Sequence, residues 1–264
     1  PGAERPHVSL ASMSHALVRL IGWPATVLHG DPSVYDRWRW LRRHLRAGPL
    51  RTLDAGCGSG AFTMYAAKLG NEAVGISYHE RCNRVARERA RILGLRNVEF
   101  VDGDLRELER HSSELGTFDQ IICLETIEHI RDDRKLVTDL AALLKPGGRL
   151  LLTTPHIGHR ALVGGAEVSE EEDGGHVRRG YGFDEMRVLL RMAGLEVVSE
   201  EPICGFVSQQ LINLMWLVSR LNGRLAWALV FPLRVIQPID RPLTKLLRYP
   251  FFGIGGVAVR REGT

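Results

Sequence analysis

The run Arg51-Thr-Leu-Asp-Ala-Gly-Cys-Gly-Ser-Gly60 constrains this chain more than any other stretch: a short apolar segment enters three alternate glycines, and a helical pattern follows. Glycine has no Cβ, so such a turn can take positive φ and bring the main chain within van der Waals reach of a nucleotide-like ligand. A Cβ at Gly56, Gly58 or Gly60 is expected to stand in the ligand's place. Asp54 ends the apolar segment and sets a carboxylate where a pyrophosphate binder avoids negative charge. The turn therefore suits an ammonium or a hydroxyl better than a diphosphate.

Apolar and β-branched runs recur at 51–55, 73–77, 97–101, 118–124, 148–154 and 195–199, and a last one spans 254–260. Helical patterns lie between them, from His79 to Leu93, from Asp132 to Leu144 with a Lys145-Pro-Gly-Gly148 stop, and from Asp184, read as an acidic cap, to Ala193. This alternation predicts an α/β fold, a Rossmann-like seven-stranded, mostly parallel sheet with helices on both faces. With 264 residues, 44% of them apolar, one core can be buried and a single domain is expected. Its parts are a helical cap over 1–48, a ligand-binding core over 49–202, an apolar helical insertion over 203–252 between strands six and seven, and a last strand and tail over 253–264.

The net charge of +4 is unevenly spread. Residues 1–50 carry 7 Lys/Arg against 3 acids and 202–264 carry 8 against 2, leaving 20 against 26 for the middle. Basic flanks around an acidic core suit an anionic partner such as a phosphorylated substrate or lipid headgroups, and equally a plain solvated surface. No basic stripe interleaved with aromatics is visible, so nucleic acid is not an expected partner. The insertion, Leu211 to Val218 and Leu225 to Phe231, is broken at Arg220, Asn222, Gly223, Arg224 and Pro232 before it reaches the roughly 18–20 apolar residues of a membrane span. It could lie on a membrane surface through 203–236, form a substrate lid, or make a homodimer contact. Cys57, Cys82, Cys123 and Cys204 form no Cys-x-x-Cys pair, and Pro1 to Leu10 has no charged start followed by an apolar run. A reducing, cytoplasmic setting, peripheral at the membrane if the insertion docks there, is the expectation. Glu170-Glu-Glu-Asp173 reads as a solvated loop.

Leu53-Asp-Ala-Gly-Cys-Gly-Ser-Gly60, Gly103-Asp104, Phe118 to His129 with its Glu125-x-x-Glu128-His129 step, Leu144-Lys-Pro-Gly-Gly148 and Thr153-Thr-Pro155 follow one another in order. In order and spacing they resemble class I S-adenosylmethionine-dependent methyltransferases, with the Glu-x-x-Glu-His step closest to the ubiquinone-biosynthesis O-methyltransferase type. The resemblance covers residues 50–200. It implies S-adenosylmethionine as cofactor, its methionine part held by Asp54 and the backbone of Gly56, Cys57 and Gly58, with Gly60 and Leu124 in the same wall. It further implies that Asp104 accepts from the adenine amino group while Leu105 offers its N–H. Asp104 read plainly is a helix N-cap, and Asp102 is a weaker competitor. Where the family usually has an acid for the ribose this chain has Ser77, so weaker ribose anchoring, or help from Tyr78, is expected. A dinucleotide site also needs an acid about 20 positions beyond the glycines, and Ser77 fails that requirement too.

Methyl transfer to a hydroxyl or amine asks for a base. Glu125, Glu128 and His129, at spacings of three and four, would share one face of a helical turn. His129 is the first candidate, with Glu125 beside it and His176 next, on the loop Gly174-Gly-His-Val-Arg178; His156 and His159 follow strand five. No metal is assigned, although a divalent ion orienting a vicinal diol is a rival use of these side chains. Tyr35, Asp36 and Trp38 either close the pocket from above or simply pack. The expected reaction is O-methylation of a small or lipid-linked molecule. N- or C-methylation, or a non-catalytic cofactor-binding subunit, are the alternatives.

Overall fold

The computed structural model describes residues 8–160 and 168–261. Seven strands, β1 (Arg51–Ala55), β2 (Glu72–Ser77), β3 (Val98–Asp102), β4 (Phe118–Leu124), β5 (Leu144–Pro155), β6 (Leu195–Ile203) and β7 (Gly253–Arg260), form one sheet in the order β3-β2-β1-β4-β5-β7-β6. The first five run parallel, and β7 is antiparallel to both β5 and β6. The Rossmann-like, mostly parallel sheet expected from the alternation is thus present. Strand β4 is buried along nearly its whole length, as a strand covered on both faces must be.

On one face the cap helices α1 (Val8–Ile21), α2 (Pro24–Leu28) and α3 (Pro32–His44) accompany α4 (Ala61–Lys68) and α5 (Glu80–Ile92). Trp40 of α3 is 1% exposed and lies against β7, where a Cβ on Gly255 would come within 2.6 Å of the indole. The glycine is there because the ring needs the space. On the other face the short α6 (Ser112–Leu115) leads to β4, and α7 (Asp133–Ala142) and α8 (Phe183–Met192) cover the sheet. In α7, Leu136, Val137, Leu140 and Ala141 make the buried stripe, and Asp132 caps the helix by accepting from the Lys135 N–H at 3.0 Å.

Two helix ends differ from expectation. Leu144 to Gly148 is the irregular start of β5 and not a helix tail, with Lys145 reaching Asp119 at 2.9 Å across the bulged β4–β5 pairing. The α8 cap is Gly182, whose N–H donates to Glu185 at 2.7 Å, so Asp184 lies in the first turn.

After β6 the chain forms α9 (Phe206–Ser219), α10 (Gly223–Leu233), a 3₁₀ segment Arg234–Ile239 and α11 (Asp240–Leu246) before returning as β7. Asp240 holds the start of α9 by accepting from the N–H groups of Gly205 and Val207 at 2.6 and 2.7 Å. Asp36 of α3 is buried beside Ser208 and Cys204, with one carboxylate oxygen unpartnered. Tyr35 and Trp38 pack with Trp23 and Tyr65, so among the described residues these three cap positions serve packing and do not line the ligand cleft.

Burial pushes the Asp36 carboxyl from 3.8 up to about 7. The folded chain keeps a proton that the unfolded chain releases above its lower pKa, so stability falls as pH rises between those values. Asp36→Asn is expected to flatten that decline by an amount on the order of 2–4 kcal/mol. Urea unfolding of both proteins from pH 4 to 8 measures it, and parallel slopes would contradict the assignment.

Candidate functional site

The strand order reverses between β1 and β4, and the crevice beyond their carboxyl ends is where an open α/β sheet takes its ligand. A cleft of about 240 Å³ lies there. Gly56 and Gly58 form one wall, Ser77 at the end of β2 with Tyr78 after it and Asp104 and Leu105 just past β3 form the far end, and Glu125, Thr126 and His129 after β4 close the near side.

The three glycines act differently from one another. All have positive φ, at 85°, 50° and 79°. A Cβ on Gly56 would strike Thr126 at 2.3 Å and one on Gly60 would strike Phe100 and Ala86 at under 3 Å, whereas one on Gly58 meets nothing within 4 Å. Only Gly58 therefore faces open space as expected; Gly56 and Gly60 are imposed by protein packing. Asp54 also departs from expectation. It is 3% exposed behind the turn, accepting from the Thr63 hydroxyl at 2.7 Å and from the Thr63 N–H, and so caps α4 from the strand. Burial raises its pKa to about 6. Cys57, Gly60 and Leu124 are not among the residues lining the cleft.

At the far end Asp104 is the N-cap of a 3₁₀ turn, accepting from the Arg106 N–H at 2.9 Å, while the Arg106 guanidinium grips both of its oxygens. That pairing holds the carboxyl below its ordinary pKa. Asp102 is turned away, bonded to Asn83 at 2.7 Å and Arg87 at 2.8 Å, which removes it as a competitor. Ser77 accepts from the His79 N–H at 3.3 Å, and Tyr78 stacks on His79 with its hydroxyl close to Gly174.

The carboxylates and histidines do not share one helical face. Glu125 adopts φ +52°, unusual for a residue with a side chain, and the step after it is a single 3₁₀ turn, Ile127–His129. Glu125 accepts from Thr153 at 3.0 Å and Glu128 from Thr154 at 3.3 Å, so two adjacent threonines of β5 each hold one acid. Burial raises both acids, most strongly Glu128, which is 0% exposed, has Glu125 as neighbour and leaves one oxygen unpartnered. His129 Nδ1 lies 3.0 Å from the Gly175 carbonyl, which can only accept, so Nδ1 is a donor there, while Nε2 lies 3.9 Å from Glu128 Oε1. His176 meets the His129 ring edge to face at 4.6 Å, and burial lowers its pKa to about 4. Glu128, His129 and His176 offer ligand atoms within 4.8 Å of one another, a spacing that a divalent ion could use. His156 bonds the Gly158 N–H and His159 packs on Phe252, both away from the cleft.

Sequence reading missed His79, Arg106, Thr126, Ile130 and Glu172 in the cleft wall, which Gly174 of the 174–178 loop also lines. The acidic run is not a free loop: the Arg131 N–H donates to Glu172 at 2.6 Å, the Arg131 guanidinium reaches the Glu170 carbonyl, and Arg106 lies 3.8 Å from Glu172. No spacing signal links residues so distant in the chain. The cleft as a whole fits an adenosylated amino acid, with the open face of Gly58 at one end and the Ser77 hydroxyl and Asp104 carboxylate at the other.

A methyltransferase-domain family model matches residues 48–187. The ubiquinone biosynthesis O-methyltransferase of Xanthomonas axonopodis pv. citri (strain 306) is 30% identical over 204 residues, covering 75% of this chain and 82% of that protein. Among solved structures, phosphoethanolamine N-methyltransferase 2 of Haemonchus contortus, in complex with S-adenosyl-L-methionine, superposes with a TM-score of 0.57 at 19% identity, over 86% of this chain and 52% of that one. The cyclase SpnF gives 0.58 at 20% identity, over 87% and 83%. At such identities the structures establish the fold, and they show one scaffold carrying more than one chemistry. With the family model spanning over half of the chain and the relative aligned over three quarters of it, this chain belongs to the S-adenosylmethionine-dependent methyltransferases.

Proposed function

We propose that the protein O-methylates a small or lipid-linked acceptor, with His129 as the base. The observation that carries this reading is the Gly175 carbonyl bound to Nδ1, which fixes the tautomer and leaves Nε2 as the acceptor beside the cleft. S-adenosylmethionine supplies a methyl group on a positively charged sulfur. On this reading the Gly56–Gly58 backbone supports the methionine portion, Ser77 and Tyr78 the ribose, and Asp104 with the Leu105 N–H the adenine. His129 takes the acceptor's hydroxyl proton, and Glu125 orients the acceptor. His176, lowered to about 4, is neutral at physiological pH and a poor proton acceptor, so it serves as the apolar backing of the His129 ring. The O-methyltransferase relative and the apolar insertion with its basic flanks support an oxygen nucleophile on a hydrophobic or phosphate-bearing molecule.

A second reading rests on the cluster of Glu128, His129 and His176. There a divalent ion would orient two neighbouring hydroxyls. Chelation separates the two: turnover unchanged by EDTA keeps the acid–base reading, and turnover lost to EDTA and restored by a divalent ion assigns the cluster to a metal.

For the acid–base reading, His129→Ala is expected to lower kcat roughly a hundredfold with cofactor affinity nearly intact, and His176→Ala to lower it by about tenfold or less. Methyl transfer from labelled cofactor to phenolic acceptors with and without an isoprenoid tail, alongside calorimetry, checks both; an active His129→Ala enzyme sinks the assignment. Asp104→Ala should weaken S-adenosylmethionine binding by about tenfold, whereas Asp104→Asn, which keeps an acceptor oxygen and a cap, should weaken it less. Equal affinities would remove Asp104 from the adenine site.

A further inference from the structure

The insertion carries a surface that the methyl-transfer site does not use. Its helix α10 buries Ala226 and Val230, yet its outward side is apolar as well. From Leu225 to Ile239 every exposed residue is apolar, with Leu229 47%, Val235 79% and Ile239 55% exposed. Trp216, Leu217 and Leu221 extend the patch at one end, Leu246 and Leu247 at the other. A soluble helix ordinarily turns polar residues outward, so an apolar outer face of this length marks a contact surface.

The charges choose the occupant. Arg220 and Arg224 bound the apolar stretch on one side, Arg241, Lys245 and Arg248 on the other; all five are exposed, and of these Arg241 is paired with Glu201 at 3.0 Å. Between residues 216 and 248 the single acid is Asp240, 4% exposed and taken up by the Gly205 and Val207 amides. The apolar strip thus has a cationic border at both ends and no exposed acid. A two-fold pairing of copies through α10 would lay the Arg220 and Arg224 end of one protomer near the Arg241 and Lys245 end of its partner, setting like charges together. An anionic bilayer meets both features at once, apolar side chains entering the acyl boundary while the bases reach phosphate headgroups. Among the described residues no helix is long and apolar enough to cross a membrane, so contact in the plane is the available mode.

We propose that the Trp216–Arg248 surface docks the protein on anionic lipid, with α10, about 16 Å long, lying in the headgroup plane. The site for methyl transfer lies at the β1/β4 crevice, so docking stands apart from the identity of the acceptor.

The test is co-sedimentation of the full chain with phosphatidylglycerol–phosphatidylcholine vesicles and with pure phosphatidylcholine vesicles, at low and high salt. Pelleting should require phosphatidylglycerol and weaken with salt. Leu229→Glu, and independently Leu225→Glu, should lower partition roughly tenfold, while circular dichroism and S-adenosylmethionine binding stay unchanged because both side chains face outward. Arg224→Glu together with Lys245→Glu should lower it by a similar factor. Absence of pelleting, pelleting indifferent to phosphatidylglycerol, or pelleting unmoved by the two Leu variants overturns the proposal. So does a dimer in light scattering that Leu229→Glu dissolves with no vesicle binding, which would give the face to a second copy.

Discussion

Gly56 and Thr126 touch where the sheet changes direction, and the rest of the site is arranged around that contact. There is no room at Gly56 for a methyl group, which would lie 2.3 Å from the threonine hydroxyl oxygen, and that hydroxyl in turn donates to the Leu124 carbonyl at 3.2 Å. The turn after β1 and the turn after β4 are therefore fixed against each other. One presents backbone to the cleft and the other presents Glu125 and His129, so a shift in either changes the position of both.

The electrostatics follow from how few polar groups this region buries without water. Glu125 and Glu128 follow a buried strand, each given one hydroxyl by Thr153 or Thr154, and Glu128 Oε1 lies 3.9 Å from His129 Nε2. Desolvation raises the pKa of both, and for Glu128 the neighbouring Glu125 charge raises it further. The orientation of His129 comes from a main-chain carbonyl on a loop reached only after β5. The loop is held by the Val177 N–H on the Glu128 carbonyl at 2.9 Å and by arginines on the opposite rim.

The sheet was legible because each strand announces itself locally. Apolar runs separated by helical stretches with capping and stop residues need no distant partner to be recognised. The glycine turn and Asp104 were legible for the same reason. The functions of Asp54 and Glu125 were not, because they depend on contacts outside their own segments. Asp54 turns inward to Thr63 because α4 lacks a capping side chain at Gly60, and Glu125 takes a left-handed backbone that breaks the helical spacing assumed for Glu128 and His129. Arg106 and the Glu170–Asp173 run carried no periodic signal. Their pairing became visible only when residues sixty-odd positions apart were brought to one rim.

The pairing of Ile203 with Gly253 in neighbouring antiparallel strands has a broader meaning for how such a chain can diversify. Everything from α9 to α11 departs and re-enters at a single rung of the ladder, so its replacement by a longer, shorter or differently charged excursion leaves the hydrogen-bond register of β6 and β7 untouched. The entropic cost of closing a loop there grows only slowly with its length. The excursion and the strand ladder are thus separable in register, although Gln237 and Arg234 tie the excursion to the backbone of residues 28–32.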